Sequence, residues 1–471
     1  MERLSGLDAS FLYAETPAQP LHVCSILELN TSTMPGGYQF DRLKEVLALQ
    51  ISAIPEFRQK LADHRLNMDH PVWVDDHTFD IDRHLHRVAV PTPGGRAELA
   101  DLYARIAAYP LDRERPLWEM WVIEGAGGGR DRLVIMTKIH RASVDGVMGA
   151  DVLARLCSTE PELPREKTVA RPGGASTVRL AVDGLKKLAT RPVRLAETTA
   201  TTLSTVVDIA RRSMAGSTMA APFRAPATPF NDAVTRRRVV AYTSLDLQDV
   251  DRVRELFGVT ADDVVTALCS GVLRRYLIAR DRLPEKSLVA AMPVPVHGRS
   301  GRPGRNQLSL LFTRLESQLD DPAERLRAIA GSNSAAKEHS DAIGPTLLLD
   351  WAQLAGRTLL STGLQVYSAL GLARRRPVHN VVISHVPGPQ DTLYFLGCRV
   401  DAMYLLGPVF HGTGLNITGI SVGGKLHIGI TACRRLVPDA WSLAQGFHAE
   451  LEALLQAGDP TRAVDPAAGV R

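Results

Sequence analysis

The stretch LVIMTKIHRASVDGVMGADVL, residues 133–153, changes character in its middle. Up to His140 it is an apolar run that reads as a strand. It then turns through Arg141, Ala142, Ser143 and Val144, reaches Asp145 and Gly146, and takes up helical apolar spacing. A strand that hands over to a helix through such a turn is the seam of an α/β unit. In an extended strand Val134, Met136, Lys138 and His140 share one face, and Ile135, Thr137, Ile139 and Arg141 the other. His140 and Arg141 therefore point apart. Asp145 is placed to cap the helix that begins near Val147, because its carboxylate can accept the orphan amide hydrogens there.

Outward from this seam the same grammar repeats. Residues 1–160 alternate strand-like runs, HVCSILEL (22–29), LWEMWVIEG (117–125) and RLVIMTKIH (132–140), with helical patterns at 41–52 and 97–111. Residues 161–235 open with the turn-rich TEPELPREK and ARPGGAST region and continue as a basic helical connector. A second α/β pattern fills 236–460, with strands RRRVVAYTSLDL (236–247), SLVAAMPVPV, LSLLFTRLE, VVISHVPG and LNITGISVGGKLHIGITAC around the helix at 262–280, and a terminal helix at 438–456. Residues 461–471 form a tail. The expectation is two similarly built domains, in keeping with 471 residues, which exceed what one hydrophobic core usually serves.

Composition narrows the function. No run of about 18 apolar residues offers a spanning helix, and the amino terminus lacks a basic patch followed by an apolar core, so a cytoplasmic protein is expected. Five scattered cysteines without a CxxC pair argue against a disulfide framework and a zinc ribbon. The histidines at 64, 70, 77, 84 and 86 lack metal-ligand spacing with a carboxylate in register, so no metal is expected. The net charge is +4, yet residues 165–238 hold 14 Lys/Arg against 5 Asp/Glu. Aromatic side chains for base stacking are absent from 165–222, which argues against nucleic acid. Leucines and valines interleaved with those cations, and a similar make-up at 346–376, point instead to adsorption on an anionic lipid surface.

The KIHRASVDG block resembles the HHxxxDG motif of CoA-dependent acyltransferases. Further segments resemble one branch of them, the bacterial wax ester synthase/diacylglycerol acyltransferase family. They are LSGLDASFLYAETPAQPLHV (4–23), RPLWEMWVIEG (115–125), DDVVTALCSGVLRRYL (262–277), RNQLSLLF (305–312), ISHVPGPQDTLYFLG (383–397) and GPVFHGTGLNITGISVGGKLHIGITACRRLVPD (407–439). The resemblance implies two chloramphenicol-acetyltransferase-like domains with an active-site tunnel between them, reached by acyl-CoA from one side and an alcohol from the other. It implies no cofactor; acyl-CoA is a co-substrate. The implied reaction is transfer of a long-chain acyl group to diacylglycerol, giving triacylglycerol, or to a fatty alcohol, giving a wax ester. The implied location is the inner face of the membrane or a lipid-droplet surface.

In the family motif the second histidine is the general base, which takes the proton of the acceptor hydroxyl as it attacks the thioester, and the aspartate four residues later holds the loop. The matching positions here are Arg141 and Asp145, followed by Gly146. A guanidinium offers only donors and cannot do base work. Two other departures lie in motif positions: Asp262 stands where the family has Asn before Asp, and His385 where it has Asn in SNVPGP. His140 beside the turn, or His385 if it lines the tunnel near Arg141, is a candidate replacement base, and Asn416 and Ser421 are candidate oxyanion donors. The competing readings are a degenerate relative that binds acyl-CoA or lipid without turnover, and a condensation-type enzyme of peptide or polyketide assembly.

Overall fold

The computed structural model describes residues 2–62, 70–129, 131–144, 156–161, 219–220, 223–295, 308–343 and 371–458. Asp145, Gly146, most of the 161–235 connector, most of 346–376 and the 461–471 tail lie outside them.

The first lobe is built on a seven-stranded sheet. Its strands are β2 (His22–Asn30), β5 (Leu85–Ala89), β6 (Trp118–Glu124), β7 (Arg132–His140), β8 (Cys157–Ser158), β13 (Tyr394–Phe395) and β14 (Cys398–Leu406), in the order β5-β6-β7-β2-β14-β13-β8. A small sheet of β1 (Glu2–Arg3), β3 (Gln59–Ala62) and β4 (Val72–Asp75) lies beside it. β7 is the apolar run of the opening stretch, paired antiparallel with β6 on one side and β2 on the other, with His22 opposite His140. Its faces divide as the alternation requires. Val134 and Met136 pack with Leu99 and Tyr103 of α3 (Arg96–Ala107). Ile135 and Ile139 pack with Leu43, Leu47 and Ile51 of α2 (Phe40–Ser52). α1 (Gly6–Ala14) precedes both and starts with a capping box, in which Ser5 Oγ accepts the Asp8 amide and Asp8 accepts the Ser5 amide.

The second lobe carries a six-stranded sheet in the order β11-β10-β12-β15-β16-β9: β9 (Arg238–Asp246), β10 (Val289–Pro295), β11 (Leu308–Arg314), β12 (Val381–Pro387), β15 (Leu415–Val422) and β16 (Lys425–Cys433). β10, β12 and β15 run parallel. Helices α4 (Leu247–Phe257), α5 (Ala261–Ile278), α6 (Pro322–Ile343) and α7 (Trp441–Ala457) accompany it. Buried Glu450 of α7 pairs with buried Arg325 of α6 and with Arg275 of α5, 3.0 Å away, and ties the three helices together. Gly271 makes room for that carboxylate, since a Cβ there would lie 1.9 Å from it. Among the described residues no single helix is long and apolar enough to cross a membrane; the bent α4–α5 pair passes by composition, but much of α5 is core.

The lobes are not divided cleanly along the chain. Segment 394–406 belongs by position to the expected 236–460 unit, yet β13 and β14 complete the first sheet, β14 pairing with β2 from Arg399–Asn30 to Leu406–Cys24. β14 also crosses close over β16: a Cβ on Gly429 would stand 2.1 Å from the Leu405 carbonyl oxygen. Backbone cannot yield as a flexible side chain can, so Gly429→Ala is expected to cost about 1–3 kcal/mol. Urea unfolding of the full chain should show a lower midpoint at unchanged slope; an unchanged midpoint would disprove this close approach.

Candidate functional site

β7 ends where the two lobes meet: Ile139 and Val144, either side of the turn, share one apolar cluster with Val386, Ile420 and Val422 of β12 and β15. The polar face of this strand end is assembled from four elements. Lys138, 1 % exposed, lies 2.8 Å from Glu119 and donates to the carbonyls of Ile106 and Tyr109, at 3.4 and 3.2 Å. His22 Nε2 donates to the Ala107 carbonyl at 3.0 Å. Burial drives the His22 pKa well below the usual histidine value, so the ring is neutral. Together these two side chains satisfy carbonyls at the α3 C-terminus, where cations and donors are favoured.

His140 is buried, and one of its nitrogens makes a hydrogen bond while the other only faces a carboxylate. Nδ1 accepts the Ala142 amide at 3.0 Å, so the ring proton sits on Nε2, which lies 3.4 Å from Glu15 Oε1. That separation is long for a full-strength hydrogen bond. Glu15, at the end of α1, also accepts the Leu21 amide at 3.0 Å and Arg113 Nη2 at 2.7 Å. Burial pushes its carboxyl up, but the His140 ring, the Leu21 amide and the Arg113 guanidinium outweigh it and hold the pKa at about 2. The Arg141 amide donates to the Leu21 carbonyl at 2.9 Å, and its guanidinium lies 5.1 Å from the centre of the Phe11 ring. The 4–23 segment thus forms the wall of the strand end. Its Gln19 accepts the His411 amide, and its Ala18 carbonyl accepts Arg238 at 2.8 Å, which joins this wall to the second lobe.

The second group lies on the other face of β12. Val386 points toward β7, whereas Val381 and Ile383 point into the helix-covered core of the second lobe, and His385 shares their face. His385 Nδ1 is 2.9 Å from Asp262 Oδ1, and His385 Nε2 is 2.9 Å from Ser421 Oγ. The His385 hydrogen bond lowers the Asp262 pKa; burial opposes this, and the Lys337 ammonium, 3.9 Å from the other carboxylate oxygen, adds to the lowering. An ionised Asp262 can only accept, so Nδ1 carries a proton, and in the neutral ring Nε2 is then the nitrogen that accepts from the Ser421 hydroxyl. The structure brings His385 to Asp262 and Ser421, not to His140 or Arg141. Asn416 is on the opposite face from Ser421, donating to the Pro408 carbonyl at 3.2 Å and accepting from Thr418 at 2.9 Å. Sequence reading treated His385, Asp262 and Ser421 separately; the paired departure from Asn at two motif positions was the available signal that they meet.

An interlobe cavity of about 360 Å³, lined by Glu28, Arg96, Tyr242, Ser244, Tyr404 and His448 among others, lies at the opposite end of β2 and β7 from His140. Strand rise puts it roughly 20 Å from the turn. Among the described residues no group of three or more His, Cys, Asp or Glu could hold a metal ion.

Comparison with known proteins places this architecture. Residues 4–265 match the wax ester synthase/diacylglycerol acyltransferase catalytic domain, and residues 305–455 match the WS/DGAT C-terminal domain. The chain belongs to the wax ester synthase/diacylglycerol acyltransferase family. It is 53% identical over 459 residues, 98% of this chain and 91% of the relative, to a Mycobacterium tuberculosis protein provisionally named a diacylglycerol O-acyltransferase. It is 28% identical, with a TM-score of 0.69, to the solved wax ester synthase/diacylglycerol acyltransferase from Marinobacter aquaeolei VT8, covering 97% of this chain and all of that one. The first condensation domain of the CDA synthetase, 16% identical at a TM-score of 0.58, covers 98% of this chain and 96% of its own and shares the fold. The expected two-lobed, chloramphenicol-acetyltransferase-like α/β fold is the one observed. Within this acyltransferase family the chain carries Arg141 where the HHxxxDG motif has its second histidine.

Proposed function

We propose that this family member transfers a long-chain acyl group from acyl-CoA to the hydroxyl of diacylglycerol, with fatty alcohols as further acceptors. The observation that carries this reading is the 53% identity, across nearly the whole chain, to a protein provisionally named a diacylglycerol O-acyltransferase. The chemistry is attack of the hydroxyl oxygen on the thioester carbonyl, with the hydroxyl proton removed and CoA thiolate expelled and protonated. We place the reaction at the turn after β7, between the lobes, next in sequence to the Asp145 and Gly146 of the motif. The surplus of cations in 165–238 suits work at the inner membrane face or on lipid inclusions, where such acceptors partition.

A second reading, acyl-CoA binding without turnover, is favoured by one local observation. Arg141 has no acceptor atom, and His140 spends its acceptor nitrogen on Ala142 and aims its N–H at Glu15. Neither side chain in this arrangement offers a lone pair to a hydroxyl proton. The test is purified full-length protein with radiolabelled palmitoyl-CoA and either diolein or hexadecanol, products separated by thin-layer chromatography, alongside equilibrium binding of the same acyl-CoA. Labelled triacylglycerol is the result expected on the first reading. Saturable binding with no labelled neutral lipid supports the second, and neither binding nor product rejects both.

A further inference from the structure

We propose that Ser421, His385 and Asp262 form a nucleophilic site, separate from the turn after β7, that takes activated acyl donors, thioesters or esters of good leaving groups, and hydrolyses them through an acyl-Ser421 intermediate. It does not depend on acyl transfer to a lipid alcohol.

Three side chains from three elements meet in one line. Asp262 comes from the first turn of α5, His385 from β12 and Ser421 from β15, and the two separations are both 2.9 Å. The roles are ordered by chemistry. The ionised carboxylate holds the proton on Nδ1 and leaves Nε2 as the acceptor facing the hydroxyl, the arrangement in which an imidazole can take a serine proton. Register places the pair: β12 and β15 are parallel, His385 lies beside Gly419 and Pro387 beside Ser421, so both side chains leave the same face near the carboxyl ends of the strands. That is where open parallel sheets present their sites.

The serine is also held in place. The Ser421 carbonyl accepts the Gly388 amide at 2.9 Å and Gln390 Nε2 at 3.2 Å, so the Pro387–Pro389 turn is fastened to the nucleophile's own backbone. Only glycine fits at 388, because a Cβ there would stand 2.9 Å from the Ser421 carbonyl oxygen and 2.6 Å from Val422 Cγ2. The line is exposed at its carboxylate end, where the Asp262 side chain is 44 % exposed, against 8 % for His385, while Ser421 is buried, so an acyl donor must reach the hydroxyl by displacing the side chains over it.

The step balances. Ser421 Oγ bonds to the acyl carbon as its proton passes to His385 Nε2, and the carbonyl carbon–sulfur bond breaks. The departing thiolate takes that proton and leaves as free thiol. Water then attacks the acyl-serine, gives a proton to His385, the carbon–Oγ bond breaks, and Ser421 recovers the proton as the carboxylic acid departs.

Full-length protein treated with a fluorophosphonate should carry one adduct, mapped by peptide mass spectrometry to Ser421, and should release p-nitrophenol from p-nitrophenyl butyrate. Ser421→Ala should lose both. Asp262→Asn, which removes the charge that orders the ring, should slow ester release by a factor of at least about 10² at an unchanged melting temperature. Absence of a Ser421 adduct on folded wild type overturns the proposal without reference to any variant. So does labelling of Ser421 that is undiminished in His385→Ala.

Discussion

Arg141→His is expected to raise the initial rate of acyl transfer to diacylglycerol by about 10²- to 10⁴-fold over wild type, the usual worth of general-base assistance. The reason is the inventory of lone pairs at the turn. Arg141 has none, and the acceptor nitrogen of His140 is already used by the Ala142 amide. A histidine at 141 restores a ring on the face of the strand end that does not turn inward to Lys138 and His22. Substitution forfeits the stacking of the guanidinium on Phe11, so equal folded fractions must be checked by thermal melts before rates are compared. The opposite pattern, fully active wild type, little change in Arg141→His and abolished activity in a folded His140→Ala, would hand the base role to His140. It would also require the ring to leave the Ala142 amide during turnover.

Glu15→Ala is expected to cost about 3 kcal/mol at neutral pH, with a Tm drop of roughly 3 °C for a chain of this length, because it strips acceptors from the buried Leu21 amide and from the His140 N–H. The pH dependence has a definite sign. The folded carboxyl is held at about 2, below its ordinary 4.5, so the folded state prefers the ionised form. Its contribution is complete above about pH 4.5 and is lost as pH falls through 4.5 toward 2, amounting to about 3 kcal/mol by linkage. Chemical denaturation of wild type and Glu15→Gln at pH 7, 4 and 3 should therefore show a gap that narrows with acidification. A gap that is constant with pH would mean that Glu15 is not the buried anion of this wall.

Much of this molecule was legible from side-chain periodicity. β7 could be read as a strand from its apolar run, and the split of Val134 and Met136 from Ile135 and Ile139 follows from alternation alone, whereas its burial on both faces came from the packing. β14 was not legible. Its pattern is broken at Asp401 by a register shift between Val400 and Ala402, and a bulge of that kind erases the period-two signal that identifies a strand. The 22-residue helix α6 escaped for a related reason, since Gly331, Ser332 and Asn333 sit in its interior against helix propensity, and tertiary contacts hold the last two there. Asn333, for one, is held by Thr313 and Asp263, both at 2.7 Å.

By itself the sequence determined the α/β class, the family through an ordered set of segments, and one chemical fact that needs no geometry: an arginine at the base position has no lone pair to offer. What it could not determine was which distant residues become neighbours. Glu15 lies far from His140 along the chain, and Asp262, His385 and Ser421 come from three separate elements. Each of these polar groups carries the same local signal whether it faces water or a partner. Only the packing of α1 against β7, and of α5 against the parallel strands β12 and β15, brings them together, because groups as little exposed as Glu15 and His385 must find their partners within the protein.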